Sequence, residues 1–272
     1  MRVRASFCVA MTASSGASGV GGRRTAVTTT ACPDCPARRR GVLDAMLPSA
    51  EGPCSFVSLA VEAREAVPAR WLQTYGFALV RRGLLVRQRS DAQGRLTAVD
   101  VVGPGAGFSV PSAARDPKCS VVPAGYAATR ALLCLVRGQA MCDHAAVGGV
   151  TATDLLELQG EAAERLERFA DARSKPGLDA RLAALLCCLA DTLARDCFPS
   201  TAVDPEALEI VGRSRAAANL VPPGLLQRDL AALVSARHES VCRVLKSMSR
   251  RKLIQSSEAG IRLLDRAALE QL

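Results

Sequence analysis

The run from Leu226 to Leu264, LQRDLAALVSARHESVCRVLKSMSRRKLIQSSEAGIRLL, leaves fewer folding options than any other part of the chain. Leu230, Leu233 and Val234 fall on one face of a first short helix, and Val241, Val244, Leu245 and Met248 on one face of a second. A tight turn joins the two, and Ala231 stands where they cross, small enough to let the backbones approach. The second helix carries Arg237, Arg243, Lys246, Arg250, Arg251 and Lys252 against a single acid, Glu239. Two crossed helices, the second basic and polar at its N-terminal end, make the arrangement that enters a DNA major groove. Beyond Leu253 the residues LIQSSEAGIRLL read as strand, turn with Gly260, and strand, the pattern of a wing beside the helices.

The charge distribution agrees with an acidic partner at this end. Net charge is +9 over 272 residues, but residues 41–217 are close to neutral, with 19 basic and 20 acidic side chains. The surplus sits in residues 1–40, with seven Arg and one acid, and in residues 218–272, with nine basic and five acidic. A length of 272 residues exceeds one ordinary domain, and an apolar share of 49% is enough for a sizeable core, so two domains are expected. The longest apolar run, LAALLCCLA at 182–190, is well short of the ~20 residues that cross a bilayer. No membrane contact and a cytoplasmic location are therefore expected. Eleven cysteines, an odd number without the spacing of a small disulfide framework, point to reduced thiols.

Residues 1–31, rich in Ser, Thr, Gly and Ala without periodicity, read as a disordered leader. Cys32 and Cys35 then form a Cys-x-x-Cys pair. From Phe77 short apolar blocks, FALVRRGLLVRQRS and RLTAVDVVGPGAGF, are punctuated by Gly83, Gly94 and the Gly103-Pro104-Gly105 turn, which is a β pattern. TATDLLELQGEAAERLERFADAR at 151–173 is a helix in which Leu155, Leu158, Ala162, Leu166 and Phe169 follow three-four spacing. Such a stripe suits a seam between two copies of the helix, or else packing on the chain's own β domain. Lys175-Pro176-Gly177 ends it, and residues 178–197 form a further amphipathic helix with Cys187 and Cys188 on or beside its apolar face.

These residues also resemble a family. RDLAALVSARHESVCRVLKSMSRRKLI followed by IRLLDRAALEQL is similar to the C-terminal DNA-binding domain of CRP/FNR-type bacterial transcription regulators. The family's recognition block is matched by His238, Glu239, Ser240, Val241, Cys242 and Arg243, which makes Glu239 and Arg243 the implied base-reading pair. Cys242 stands where a Gly or Ser is usual, Arg237 at the usual Ser/Thr cap, and Ser235 at the turn glycine. The β segment resembles the sensor roll found upstream of the winged helix in the same family. The implied architecture is α+β: a β-roll sensor over 32–150, a dimerisation helix over 151–175 and a winged helix-turn-helix over 176–272. It implies a homodimer on a double-stranded DNA operator, with His238, Glu239, Ser240 and Arg243 in the groove. Arg250, Arg251 and Lys252 are then expected on phosphate, and RNA polymerase is the further partner that the resemblance implies.

The sensed signal is the open part. Cyclic-nucleotide sites of the family pair a Gly-Glu with an Arg-Ser, because a buried phosphate needs a cation and a fork of donors. Here the turn reads Gly107-Phe108-Ser109 without Glu, and Arg130 is the one cation near the second position, so a cyclic nucleotide is not expected. The oxygen-sensing branch implies an iron–sulfur cluster on four cysteines, which would be Cys32, Cys35, Cys54 and Cys134 here. Thiol redox or zinc at the cysteine pair, an unknown small ligand, and no ligand at all are the alternatives. An enzyme is not expected: the chain has no Ser-His-Asp, His-Glu-x-x-His or phosphate-loop pattern. The competing reading is a thiol or metal redox protein working through Cys32 and Cys35.

Overall fold

The structure is a computed structural model, and it describes residues 57–67, 75, 77–90, 95–109, 125–136, 152–196 and 219–272. The N-terminal leader and Cys32, Cys35 and Cys54 lie outside the described residues.

Seven strands make the roll: β1 (Val57–Val61), β2 (Phe77–Arg82), β3 (Leu85–Ser90), β4 (Leu96–Val102), β5 (Gly107–Ser109), β6 (Tyr126–Ala127) and β7 (Ala131–Val136). They form two antiparallel sheets, ordered β1-β7-β2-β5 and β4-β3-β6. Strand alternation sorts the side chains. Ala131, Leu133 and Leu135 of β7 join Leu59, Val61, Ala78, Val80, Val102 and Phe108 in the core between the sheets. Cys134 points to the other face, beside its partners Ser58 and Leu79. The β character expected from Phe77 onward is what the chain forms.

Two long helices follow, α1 (Ala152–Ser174) and α2 (Leu178–Asp196), separated at the Lys175-Pro176-Gly177 break. The winged part comprises β8 (Leu220–Val221), α3 (Gln227–Leu233), α4 (His238–Arg250), the hairpin β9 (Ile254–Ser257) and β10 (Gly260–Leu263), and α5 (Arg266–Glu270). Its sheet order is β8-β10-β9. At Gly260, φ is +117° and an added Cβ would lie 2.2 Å from the Val221 carbonyl oxygen, so only glycine lets the third strand close up.

A single apolar core runs through the lower half of the molecule. It joins Leu84, Val86, Ala98 and Val101 of the roll to Phe169 of α1, the apolar face of α2, and Leu230, Leu233, Val241, Leu245 and Met248 of the helix pair. Cys187 and Cys188 are buried in it, as expected for packing residues. Burial pushes both thiols up to about 11.

Of the two expected roles for the apolar stripe of α1, packing on the chain's own roll is the one these side chains take. Leu158, Ala162 and Phe169 are buried within the chain itself, so α1 turns this stripe inward; the side chain of Leu155 is outside what is described. Arg165 occupies the same stripe, 6% exposed. It donates from Nε to Asp100 Oδ2 at 2.9 Å and from Nη2 to the Gly107 carbonyl at 3.0 Å. Asp100, fully buried in β4, also receives a two-pronged bond from Arg87 at 2.6 and 2.7 Å. A carboxylate out of water needs such donors, and this one fixes α1 onto the roll.

Candidate nucleic-acid interface

The helix pair is built by local chemistry that the sequence carries openly. Ala231 is buried at the crossing, and its carbonyl accepts from Ala236 N–H at 2.9 Å, closing the turn between α3 and α4. Ser235 takes the left-handed conformation that the turn requires, φ +53°. A serine holds it at a cost of about 1 kcal/mol relative to glycine. Arg237 is the N-cap of α4 and gives no side-chain cap; its carbonyl accepts from Ser240 and Val241 N–H instead. Glu239 in the first turn faces the positive end of the helix.

At the other end, Leu253 N–H reaches the Met248 carbonyl and Lys252 N–H the Ser249 carbonyl, both at 3.0 Å. Lys252 is left-handed at φ +58°. This is the Schellman closure of a helix, and it holds Arg250, Arg251 and Lys252 together at one exposed end.

Along α4, Val241, Leu245 and Met248 are buried. The 3.6-residue period puts Glu239, Arg243, Lys246 and Arg250 on the opposite side, all exposed. Among the described residues the side chains of Glu239, Arg243, Lys246, Arg251 and Lys252 have no hydrogen-bond or ion-pair partner. Every expected groove residue therefore lies on α4, with His238 exposed and Ser240 half-buried at its start. Lys246, absent from the expected contacts, belongs to the same face. Cys242 is half-buried beside that face, with its thiol 2.7 Å from Gln227 Oε1 and 3.5 Å from His238 Nε2. A groove of about 630 Å³ runs alongside, between Gly224, Arg228 and His238 on one bank and Ser257, Glu258 and Gly260 on the other.

Gly107 opens β5, and its carbonyl is taken by Arg165. Arg130 is exposed and pairs with Glu62 at 3.5 Å. Cys134 is the one member of the expected cysteine set within the described residues, where it is buried, and no group of three or more His, Cys, Asp or Glu able to hold a metal occurs among them. No described helix is long and apolar enough to cross a membrane.

Sequence reading missed Arg165 and Asp100, and it missed Arg64, Tyr126 and Asp229, which bond one another across the roll and α3. The first two had a signal: a charged residue inside an apolar register, between Ala162 and Phe169 for Arg165 and within AVDVV for Asp100.

The chain thus joins a β-roll through a long helix to a winged helix-turn-helix. Residues 180–272 match the family model of the Crp-like helix-turn-helix domain. Solved structures share the wider fold. A transcriptional regulator of the CRP family from Thermus thermophilus is 23% identical at TM-score 0.51, the match covering 78% of this chain and 94% of that one. FixK2 from Bradyrhizobium japonicum is 18% identical at TM-score 0.55, over 80% of this chain and 96% of its own. A CooA mutant from Carboxydothermus hydrogenoformans is 11% identical at TM-score 0.55, over 80% and 87%. A sequence search of curated proteins finds no match. The C-terminal segment is a Crp-like helix-turn-helix domain, and the chain as a whole carries the fold of the CRP/FNR-type transcription regulators.

Proposed function

We propose that the chain acts as a homodimer that reads two related DNA half-sites with α4, under the control of a signal received by the roll. The observation that carries this reading is the exposed face of α4, where an acid and an arginine lie one turn apart with no other partner among the described residues. Glu239 accepts from a cytosine amino group, and Arg243 donates two bonds to a guanine edge. Arg250, Arg251 and Lys252 hold phosphate, giving affinity that falls with salt.

Pairing of two copies is supported by the outer face of α1. Leu156 is 71% exposed, Ala163 and Ala170 are exposed, and an added Cβ at Gly160 would meet nothing within 4 Å. Leu166, half-buried, borders this face, so the seam uses the stripe of Leu156, Gly160, Ala163 and Ala170 rather than Leu158, Ala162 and Phe169. A two-fold protein matches a two-fold operator. Partnership with RNA polymerase belongs to this reading through the family resemblance.

A cyclic nucleotide is not the signal in this reading. Phe108 follows Gly107 in place of a carboxylate, Arg165 takes the Gly107 carbonyl, and Arg130 is turned out to Glu62. The test is selection of bound duplexes from a random pool with the full-length chain. Enrichment of an inverted repeat, with binding that weakens steeply as salt rises, is expected. Enrichment of a single unpaired site, or of nothing, contradicts the reading.

A further inference from the structure

Three donors converge on Asp229, which lies in the first turn of α3 and is 1% exposed. One is local: Leu226 N–H reaches Oδ2 at 2.7 Å and caps the helix. The other two come from the roll. Arg64 Nη1 donates to the same oxygen at 2.6 Å, and the Tyr126 hydroxyl donates to Oδ1 at 2.7 Å. Arg64 Nη2 also donates to the Gly224 carbonyl at 2.5 Å, in the turn that leads into α3.

The two segments of the roll that carry these residues are bonded to each other. Arg64 N–H bonds the Ala127 carbonyl at 2.7 Å, and Ala127 N–H bonds the Glu65 carbonyl at 2.9 Å. Arg64 holds a left-handed φ of +72°, a conformation that glycine adopts freely and a long side chain does not. Strain of this kind persists where the surroundings use the side chain, and here the guanidinium is what reaches across. Gly224, at φ +105°, comes so near Thr129 that a Cβ would lie 2.1 Å from its Cγ2. Burial and the Asp229 carboxylate push the Tyr126 phenol up, so it remains a donor.

Apolar packing also joins the roll to the helix pair, but it is non-directional and tolerates sliding. A carboxylate with three aimed donors tolerates neither sliding nor rotation. Since α3 is locked to α4 through the Ala231 crossing, whatever fixes Asp229 fixes the reading helix.

We propose that Arg64 and Tyr126 are positioning residues for DNA reading: by holding Asp229 they set the angle of α4 to the roll, and with it the half-site spacing that the dimer accepts. This rests on the dimeric reading given above. In a dimer with fixed rolls, the two α4 helices keep one separation and one relative twist. Inserting a base pair between half-sites moves one of them by about 3.4 Å and a tenth of a turn, which a stiff joint cannot follow.

The experiment measures binding of the full-length chain to its selected inverted repeat and to versions with one base pair inserted or removed between the half-sites. The unaltered chain is expected to lose about thirtyfold or more on either change. Arg64→Ala should bind the original spacing about tenfold more weakly and lose less than about fivefold on insertion. Arg64→Lys should restore part of the discrimination. Tyr126→Phe, which removes one oxygen and leaves the packing, should shift discrimination in the same direction and keeps the test decisive if Arg64→Ala does not fold. Variants that keep the full spacing penalty would overturn the proposal. An unaltered chain that binds no paired site would overturn the dimeric reading and the proposal with it, an outcome told apart by the unaltered chain alone.

Discussion

The two helices of the helix-turn-helix each carry one acid, and the two acids have opposite surroundings. Asp229 of α3 is buried, bonded to its own helix and to two residues of the roll. Glu239 of α4 is exposed, without a side-chain partner among the described residues, and so are Arg243 and Lys246 beside it. In α3 the acid is used up in fastening the domain. In α4 Glu239, Arg243 and Lys246 are left over, which is what a surface that must bond to something outside the chain requires. The apolar sides of both helices go to the same core, so the difference lies in the polar sides alone.

The comparison can be broken most forcefully at α3. Asp229→Ala removes a helix cap and strands Arg64, and is expected to cost about 3 kcal/mol of folding stability in urea denaturation. Glu239→Ala should stay within about 0.5 kcal/mol of the unaltered chain in the same experiment, because its one part in the fold is an exposed charge at the helix N-terminus. Equal costs for the two would erase the distinction between fastening and reading helix.

A smaller effect concerns the thiols. Cys187 and Cys188 are desolvated in the core, and their raised values, about 11, keep them protonated. Cys242, on the surface of α4, is only half-buried. Brief alkylation at pH 8 of the folded chain, followed by site-resolved mass spectrometry, should modify Cys242 and spare the other two. The shifts also give a sign for stability. The folded state holds on to these two protons longer than the unfolded chain does, so stability is intact below pH 9 and falls as pH climbs through 9 toward 11. Labelling of Cys187 or Cys188 as fast as Cys242 would mean that the shared core opens readily.

Much of this was legible in the sequence because it rests on local rules. The helix pair shows in the spacing of Leu230, Leu233, Val241, Leu245 and Met248, and the wing in the strand pattern around Gly260. The reading face follows from the same period, and Lys246 could have been added by extending it one turn from Cys242. What periodicity could not show is which side of α1 meets the roll. Leu158, Ala162 and Phe169 make a clean apolar stripe, but a stripe fixes only that it is covered, not by what. Arg165 within that stripe is the residue that tells, since a guanidinium there needs the Asp100 carboxylate and the Gly107 carbonyl. The Arg64–Asp229 bond spans 165 residues of sequence and has no local signature at all.

The central claim is that α4 reads bases through Glu239 and Arg243 and holds phosphate through its C-terminal cations. Its most direct test is to measure binding of the Arg243→Ala and Arg251→Ala chains to the selected operator and to variants changed at each half-site position. Arg243→Ala is expected to lose discrimination at one guanine position by about 1–3 kcal/mol, while Arg251→Ala weakens every sequence alike and lowers the salt slope by about one. An Arg243→Ala chain that ranks the operator variants as the unaltered chain does would contradict the claim.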